Sequence, residues 1–199
     1  MAKKVWKAGT MLSPVPPVMV SCGEGESKNI LTIAWTGIVN TIPAMTYISV
    51  RPERHSYSLI KESGEFVINL TTKEITKAAD FCGVKSGKDV DKFKTCNLTP
   101  ACASKVKAPI IEESPVNIEC KVSKIIELGS HDMFLAEIVA VNVDEKLIDQ
   151  NGKLHLDKSG LVAYSHGEYF ALGEKIGSFG YSVRKKPVEK RKRKSKNRR

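Results

Sequence analysis

Short runs rich in Val, Ile, Thr and aromatic residues, punctuated by Gly, Pro, Asn and Ser, set the pattern of this chain. Residues 30–36, 46–51 and 65–70 each predict a strand. The segment Pro14-Val-Pro-Pro-Val-Met-Val-Ser21 predicts an extended stretch whose prolines keep its start outside a central ladder. Residues 23–27 form a Gly-rich turn signal. Helical character runs through residues 53–63 and stops at Gly64, a natural C-cap. A second helix is expected from a Thr72 cap through Cys82, ended by Gly83, with a polar loop or short helix over residues 86–93. Residues 116–128 and 133–143 flank Gly129-Ser130 and predict a long hairpin. A turn at Asn151-Gly152 leads to short runs at 154–156, 159–164 and 169–172. Many short strands with two modest helices, no βαβ alternation and no internal repeat predict a mainly β fold with α insertions, built as an antiparallel barrel.

Charge changes the domain picture. The formal net charge of +10 is confined to the end of the chain: Arg184 to Arg199 hold 11 of the 32 Lys and Arg and one of the 22 acidic residues. Residues 1–183 are therefore balanced, with 21 charges of each sign, and form the folded domain. Residues 184–199 read as a disordered basic tail, because a block of like charge repels itself and buries nothing. Such a tail can serve as an electrostatic arm for nucleic acid, ribosomes or anionic lipid, or simply as a solubilising extension. No nucleic-acid-reading motif accompanies it.

At 41% hydrophobic residues the chain has ordinary core-forming content, and no apolar run approaches the roughly 20 residues of a membrane span. The basic start, Met1-Ala-Lys-Lys-Val-Trp-Lys7, lacks the apolar segment of a signal peptide, so a cytoplasmic location is expected. Five cysteines without a Cys-x-x-Cys exclude a disulfide framework and a zinc or iron–sulfur motif. Cys82 and Cys96 are candidates for a redox role; buried small hydrophobes are the alternative.

Candidate chemistry gathers between residues 29 and 58. In a continuous strand, Thr32, Ala34 and Thr36 share one face, with Ile33 and Trp35 on the other. Small and hydroxyl side chains leave room for a planar ring against the backbone, and Asn29 at the strand entrance adds an amide. A sandwich strand that fills a narrow core with Ala and Thr would look the same. On the next strand Tyr47, Ser49 and Arg51 share a face, followed by Arg54, His55, Ser56 and Ser58 at a helix start. Arginine forks and free helical N–H groups both favour a phosphate. A flat aromatic cofactor with a phosphate tail, flavin mononucleotide (FMN), suits the combination. No Rossmann fingerprint, P-loop, nucleophile elbow or metal-ligand histidine spacing competes with it, and a cofactor must supply the reactivity.

The chain resembles the flavin reductase-like, FMN-binding split-barrel proteins, and among them the flavoredoxin-like branch. The resemblance runs over most of residues 12–180. It rests on Pro16-Pro-Val-Met-Val20, on Asn29 with Thr32-Ile-Ala-Trp-Thr36, and on Ser49-Val-Arg51 leading to His55-Ser56. Gly64-Glu-Phe-Val-Ile-Asn-Leu70, Ser86 through Phe93, and Tyr164 with Gly167-Glu-Tyr-Phe170 complete it. It implies a six-stranded antiparallel split β-barrel that dimerises, with one FMN per subunit near the interface. Asn29, Thr32, Ala34, Trp35 and Thr36 would line the ring, and Ser49, Arg51, His55 and Ser56 the phosphate end. Lys92 and Phe93 would lie over the cofactor from either subunit. His131 and Tyr169 would line the open face, with His131 a candidate proton donor and the Ser130-His131-Asp132 turn a candidate contact for a second substrate. The implied activity is electron transfer from NADH or NADPH through FMN to a second flavin, a small electrophile or a redox protein. A non-catalytic FMN carrier reduced by a protein partner is the alternative, and a nucleic-acid-associated protein acting through its tail a second.

Overall fold

The computed structural model describes residues 1–184; the basic tail expected from residue 184 onward lies, but for Arg184, outside the described residues. The main sheet is built from β1 (Val18–Cys22), β2 (Asn29–Ile33), β3 (Thr36–Thr41), β4 (Ala44–Val50) and β5 (Glu65–Leu70). Helix α1 (His55–Ser63) lies between β4 and β5, and α2 (Thr76–Val84) and the short α3 (Lys92–Thr95) follow β5. Two dyads of extended residues, β6 (Pro100–Ala101) and β7 (Ile110–Ile111), precede the long β8 (Val116–Glu127) and β9 (Asp132–Val143). A small hairpin, β10 (Val162–Ser165) and β11 (Glu168–Ala171), comes last.

The seven-stranded sheet has the order β2-β1-β5-β8-β9-β4-β3, with every recorded pairing antiparallel. Its two ends, β2 and β3, are consecutive in the chain. The residues expected to form one strand at 30–36 bend at Ala34-Trp35, so β2 pairs with β1 while β3 turns to pair with β4. At the bend the Ser49 N–H donates to the Trp35 carbonyl at 3.0 Å, which ties β4 to the β2–β3 corner and closes the barrel. Six strands surround the barrel and β3 extends past it; counting the bent strand once or twice is the whole difference from the expected six.

Alternation explains the core. Val18, Val20 and Cys22 of β1 point inward with Leu31, Ile33, Ile48, Val50, Phe66 and Phe134. Burial of each large side chain contributes about 1.5–3 kcal/mol. The opposite face of β1 and β2 sends Met19 and Ile30 into a second cluster, under α2 and α3. That cluster fixes the floor of the site described below.

Helix α1 ends as the sequence requires: Gly64 sits at φ 67° and its N–H returns to the Ile60 carbonyl. Helix α2 does not start at Thr72, which forms a bridge with Leu161 instead, and it continues one residue past Gly83. The β10–β11 turn is His166-Gly167, with φ 54° and 93°, the two positive values that a tight hairpin turn asks for. Pairing of Val15 with Tyr164 lays this hairpin against the start of β1. No helix among the described residues is long and apolar enough to cross a membrane.

Candidate functional site

A groove opens where the Ala34-Trp35 bend, the end of β4, the start of α1 and the C-terminal turn of α2 converge. Its wider end is a cavity of about 360 Å³ that Thr32, Ala34, Trp35, Ser49, Arg51, His131 and Tyr169 help to line. The narrower end, about 220 Å³, meets Asn29, His55, Ser56, Gly87 and Lys92. Leu31, Arg51, Arg54 and Val84 border both, so the two cavities adjoin.

The bend gives the wide end its chemistry. Because the strand leaves its ladder there, alternation fails and Ala34 and Trp35 both reach the cavity. Among the described residues neither N–H of this pair has a hydrogen-bond partner, although the Trp35 carbonyl is used. Thr32 is drawn sideways: its hydroxyl donates to the Ala79 carbonyl of α2. Gly83 accommodates this, since a Cβ there would stand 3.3 Å from the Thr32 Cβ.

Aromatic groups flank the opening on two sides. Trp35, 43% exposed, packs on the His131 ring with centroids 4.5 Å apart and planes inclined by 43°. Across the opening Tyr164 and Tyr169 meet edge to face at 5.2 Å, and the Tyr169 hydroxyl donates to Asp80 Oδ1 at 3.2 Å. Burial, then the Asp80 carboxylate, push the Tyr169 phenol up to about 12. His131 moves the other way: burial, then the Arg51 guanidinium, hold its ring below the ordinary histidine value. Both effects favour the neutral imidazole.

The narrow end is cationic. Arg51 follows β4 directly and pairs with Glu53 at 3.1 Å, both well exposed. Arg54 is the N-cap of α1 and reaches across to the Gly83 carbonyl at 3.1 Å. The first N–H groups of α1 have no partner within the helix and carry the positive end of its dipole. Asn29 donates to the Ser56 hydroxyl at 2.8 Å, joining β2 to that helix start. Gly87 is required beside it, because a Cβ there would lie 2.2 Å from Asn29 Oδ1.

Five expected placements differ. Asn29, expected along the ring, borders only the narrow end, and Ser49, expected at the phosphate end, borders only the wide one. Thr36 lines neither cavity: past the bend its hydroxyl donates to the Tyr47 carbonyl at 2.6 Å. Phe93 is 3% exposed and packs with Met19, Ile30 and Cys82 in the core, too far inside to cover a ligand. Lys92 lies beneath the groove of its own subunit rather than over it. Its ammonium is buried, donating to the Ile30 carbonyl at 2.7 Å and the Cys82 carbonyl at 2.8 Å, and burial lowers its pKa. Sequence reasoning put Arg54 at the anion-favouring helix start without assigning it a cofactor contact, and left Asp80, Gly83 and Gly87 out of the site. The position of Arg54 directly before a helix start was a usable signal; the other three come in only through the packing of α2 and its following loop on β2.

Comparison with known proteins agrees with this geometry. Residues 10–173 match the family described as flavin reductase like domain. An uncharacterized protein of Pyrococcus abyssi is 30% identical over 166 residues, which cover 83% of this chain and 95% of that protein. Flavoredoxin of Desulfovibrio vulgaris (Miyazaki F) superposes with a TM-score of 0.85 at 32% identity, over 92% of this chain and 100% of its own. A flavoredoxin from Methanosarcina acetivorans does so with a TM-score of 0.82 at 25% identity, over 91% and 97% of the two chains. With the split barrel, the bent strand and the two-ended groove in place, the match over residues 10–173 makes this chain a member of the flavin reductase-like family.

Proposed function

We propose that this protein is a dimeric, FMN-dependent oxidoreductase of the flavin reductase type that takes electrons from NADH or NADPH. It passes them to a second flavin, a small electrophile or a redox protein. The observation that supports this is the paired asymmetry of the groove: a bend at Ala34-Trp35 whose N–H groups have no hydrogen-bond partner among the described residues, and two arginines with a helix start at the other end. A planar ring with polar edges fits the first, and a phosphate dianion the second. FMN has both, and the wide cavity, about 360 Å³, lies within the size range of ordinary cofactor sites, with the narrow one adjoining it.

Bound FMN supplies the hydride-accepting ring, whose redox behaviour the surrounding groups tune. The Ala34 and Trp35 N–H groups would hold the ring edge, and Thr32 and Ala34 its face. Arg51, Arg54 and the α1 N-terminus would hold the phosphate, with Ser56 and His55 at its side. Asn29 positions Ser56, and Lys92 supports the floor from below. Tyr164 and Tyr169 opposite Trp35 and His131 leave a flat slot for a nicotinamide or another planar substrate. His131 keeps Nδ1 near Ser130 Oγ at 3.0 Å, which leaves Nε2 to give or take a proton at the slot. Five free cysteines suit a cytoplasmic setting.

A second reading is supported by the likeness to flavoredoxin at 32% identity: an FMN electron carrier reduced by a protein instead of a nicotinamide. One experiment separates them. The purified protein is examined by visible absorption, then titrated anaerobically with NADH and NADPH. Flavin bands that bleach support the reductase. Bands that persist with both nucleotides but bleach with dithionite support the carrier. A protein that is colourless and takes up no added FMN overturns both.

A further inference from the structure

We propose that Cys82 and Cys96 form a redox-modification site, a thiol pair that hydrogen peroxide converts into a disulfide linking α2 to the end of α3. The sulfur atoms lie 3.9 Å apart, and among the described residues no other two cysteines are recorded in contact. Cys22 and Cys120 are buried singly, and Cys102 is exposed. Cys82 sits on the inward face of α2 beside Ala79, fully buried, whereas Cys96, just past α3, is partly open. The pair thus has one member that a small oxidant can reach and one that only its neighbour can reach.

The chemistry follows from that difference. Cys96, as thiolate, attacks one peroxide oxygen; the O–O bond breaks to give a sulfenic acid and hydroxide, and the hydroxide takes up the proton that Cys96 released on ionising and becomes water. The Cys82 sulfur then displaces the sulfenic oxygen, which leaves with the proton of Cys82 as a second water, and the S–S bond forms. Both thiols are oxidised by one electron each and one peroxide is reduced to two waters. The sulfurs must approach by about 1.9 Å to reach bonding distance, a movement within the reach of side-chain rotation. Burial raises the pKa of both thiols, so the attacking thiolate is a small fraction of Cys96 and the reaction with peroxide is slow. The Lys92 ammonium, bonded to the Cys82 carbonyl, is the cation that offsets part of this rise.

The location gives the bond a consequence. Val84, Lys85, Ser86, Gly87 and Lys92 all lie between the two cysteines and all border the narrow end of the groove. A disulfide would close this segment into a covalent loop and restrict the unfolded chain, while the folded groove keeps its shape.

The test supplies hydrogen peroxide directly and does not depend on the cofactor. Cys102→Ser protein, which lacks the exposed thiol, is treated with equimolar peroxide, alkylated after denaturation and mapped by peptide mass. The expected result is a Cys82–Cys96 cross-linked peptide, reversed by dithiothreitol, with Cys22 and Cys120 alkylated. The oxidised protein should also unfold several degrees higher than the reduced one. Cys82→Ala in the same background should give no cross-link and an oxidised Cys96 alone. Sulfinic acid at Cys96 with Cys82 still free in the parent, full alkylation of both, or a cross-link to any other cysteine would overturn the proposal.

Discussion

Arg51 and Arg54 divide the cationic end of the groove between them. Arg54 is committed to the Gly83 carbonyl and shapes the site, whereas Arg51 has only an exposed partner, Glu53, to exchange for a phosphate. Arg51→Ala should therefore weaken FMN binding by about 1.5–3 kcal/mol, the scale of a hydrogen bond to a charged group. Unchanged affinity in a fluorescence titration would remove Arg51 from the phosphate site. Glu119 shows how a single residue supports the frame away from the groove. It is fully buried; burial alone would raise its pKa, yet bonds from Asn142, Ser104 and the N–H groups of Lys105 and Val106 bring it down to about 2. A depressed carboxyl contributes stability above the unfolded-state pKa and loses it as pH falls through the folded one. That contribution, on the order of 3 kcal/mol, should fade between about pH 4.5 and 2, and Glu119→Gln should flatten this part of a pH–stability curve measured by urea unfolding. Arg51 was legible as a groove residue because its polarity sits at a strand end; Asn29 and Ser49 also reach the groove, but at the ends opposite to those expected. Phe93 was misread because a lone aromatic beside a lysine carries no mark of depth.

Elements were legible where local chemistry decided them. Gly64 stops α1, and Gly129-Ser130 separates two strands of twelve residues each. The α2 start was not, because Thr72 as a cap competed with Thr72 as a bridge to Leu161, and a contact nearly ninety residues away leaves no local trace. The bend at Ala34-Trp35 was hidden for a similar reason: its β-forming residues suit a straight strand equally well, and only the rival claims of β1 and β4 break it. The loop after α2 gives the sharpest element-scale expectation. Gly87→Ala must push the Asn29 side chain away, since the new methyl would meet Oδ1, Cγ and Nδ2 at 2.2–2.7 Å. Loss of the Asn29–Ser56 bond should lower FMN affinity by about 1 kcal/mol, roughly five-fold, with little change in α-helical circular dichroism. An unaltered dissociation constant would show that this loop does not set the phosphate end.

At the scale of the whole molecule, β3 ends the sheet with Ile38, Val39 and Ile42 exposed beside Trp35. An open strand edge with apolar side chains is a surface that proteins ordinarily cover, and a second copy of the chain would do so next to the groove. Light scattering should then give twice the 21.9 kDa of the chain, and Ile38→Lys should shift the mass toward a single chain and loosen the flavin. A monomeric parent that still holds FMN would remove the partner from the site. The barrel itself was legible from strand number and turn spacing, but its closure was not, because closure rests on the one bond from Ser49 to Trp35. That corner also has a consequence for the life of the protein. Neither N–H group of Ala34-Trp35 has a partner among the described residues, and a cofactor seated there as proposed would supply acceptors to the unfinished corner. Binding to the native state alone adds to folding stability in proportion to the logarithm of ligand concentration over its dissociation constant. Cells short of flavin would therefore hold less of this chain, as the unfinished barrel opens more often and is degraded, and synthesis of the cofactor would set the abundance of its user.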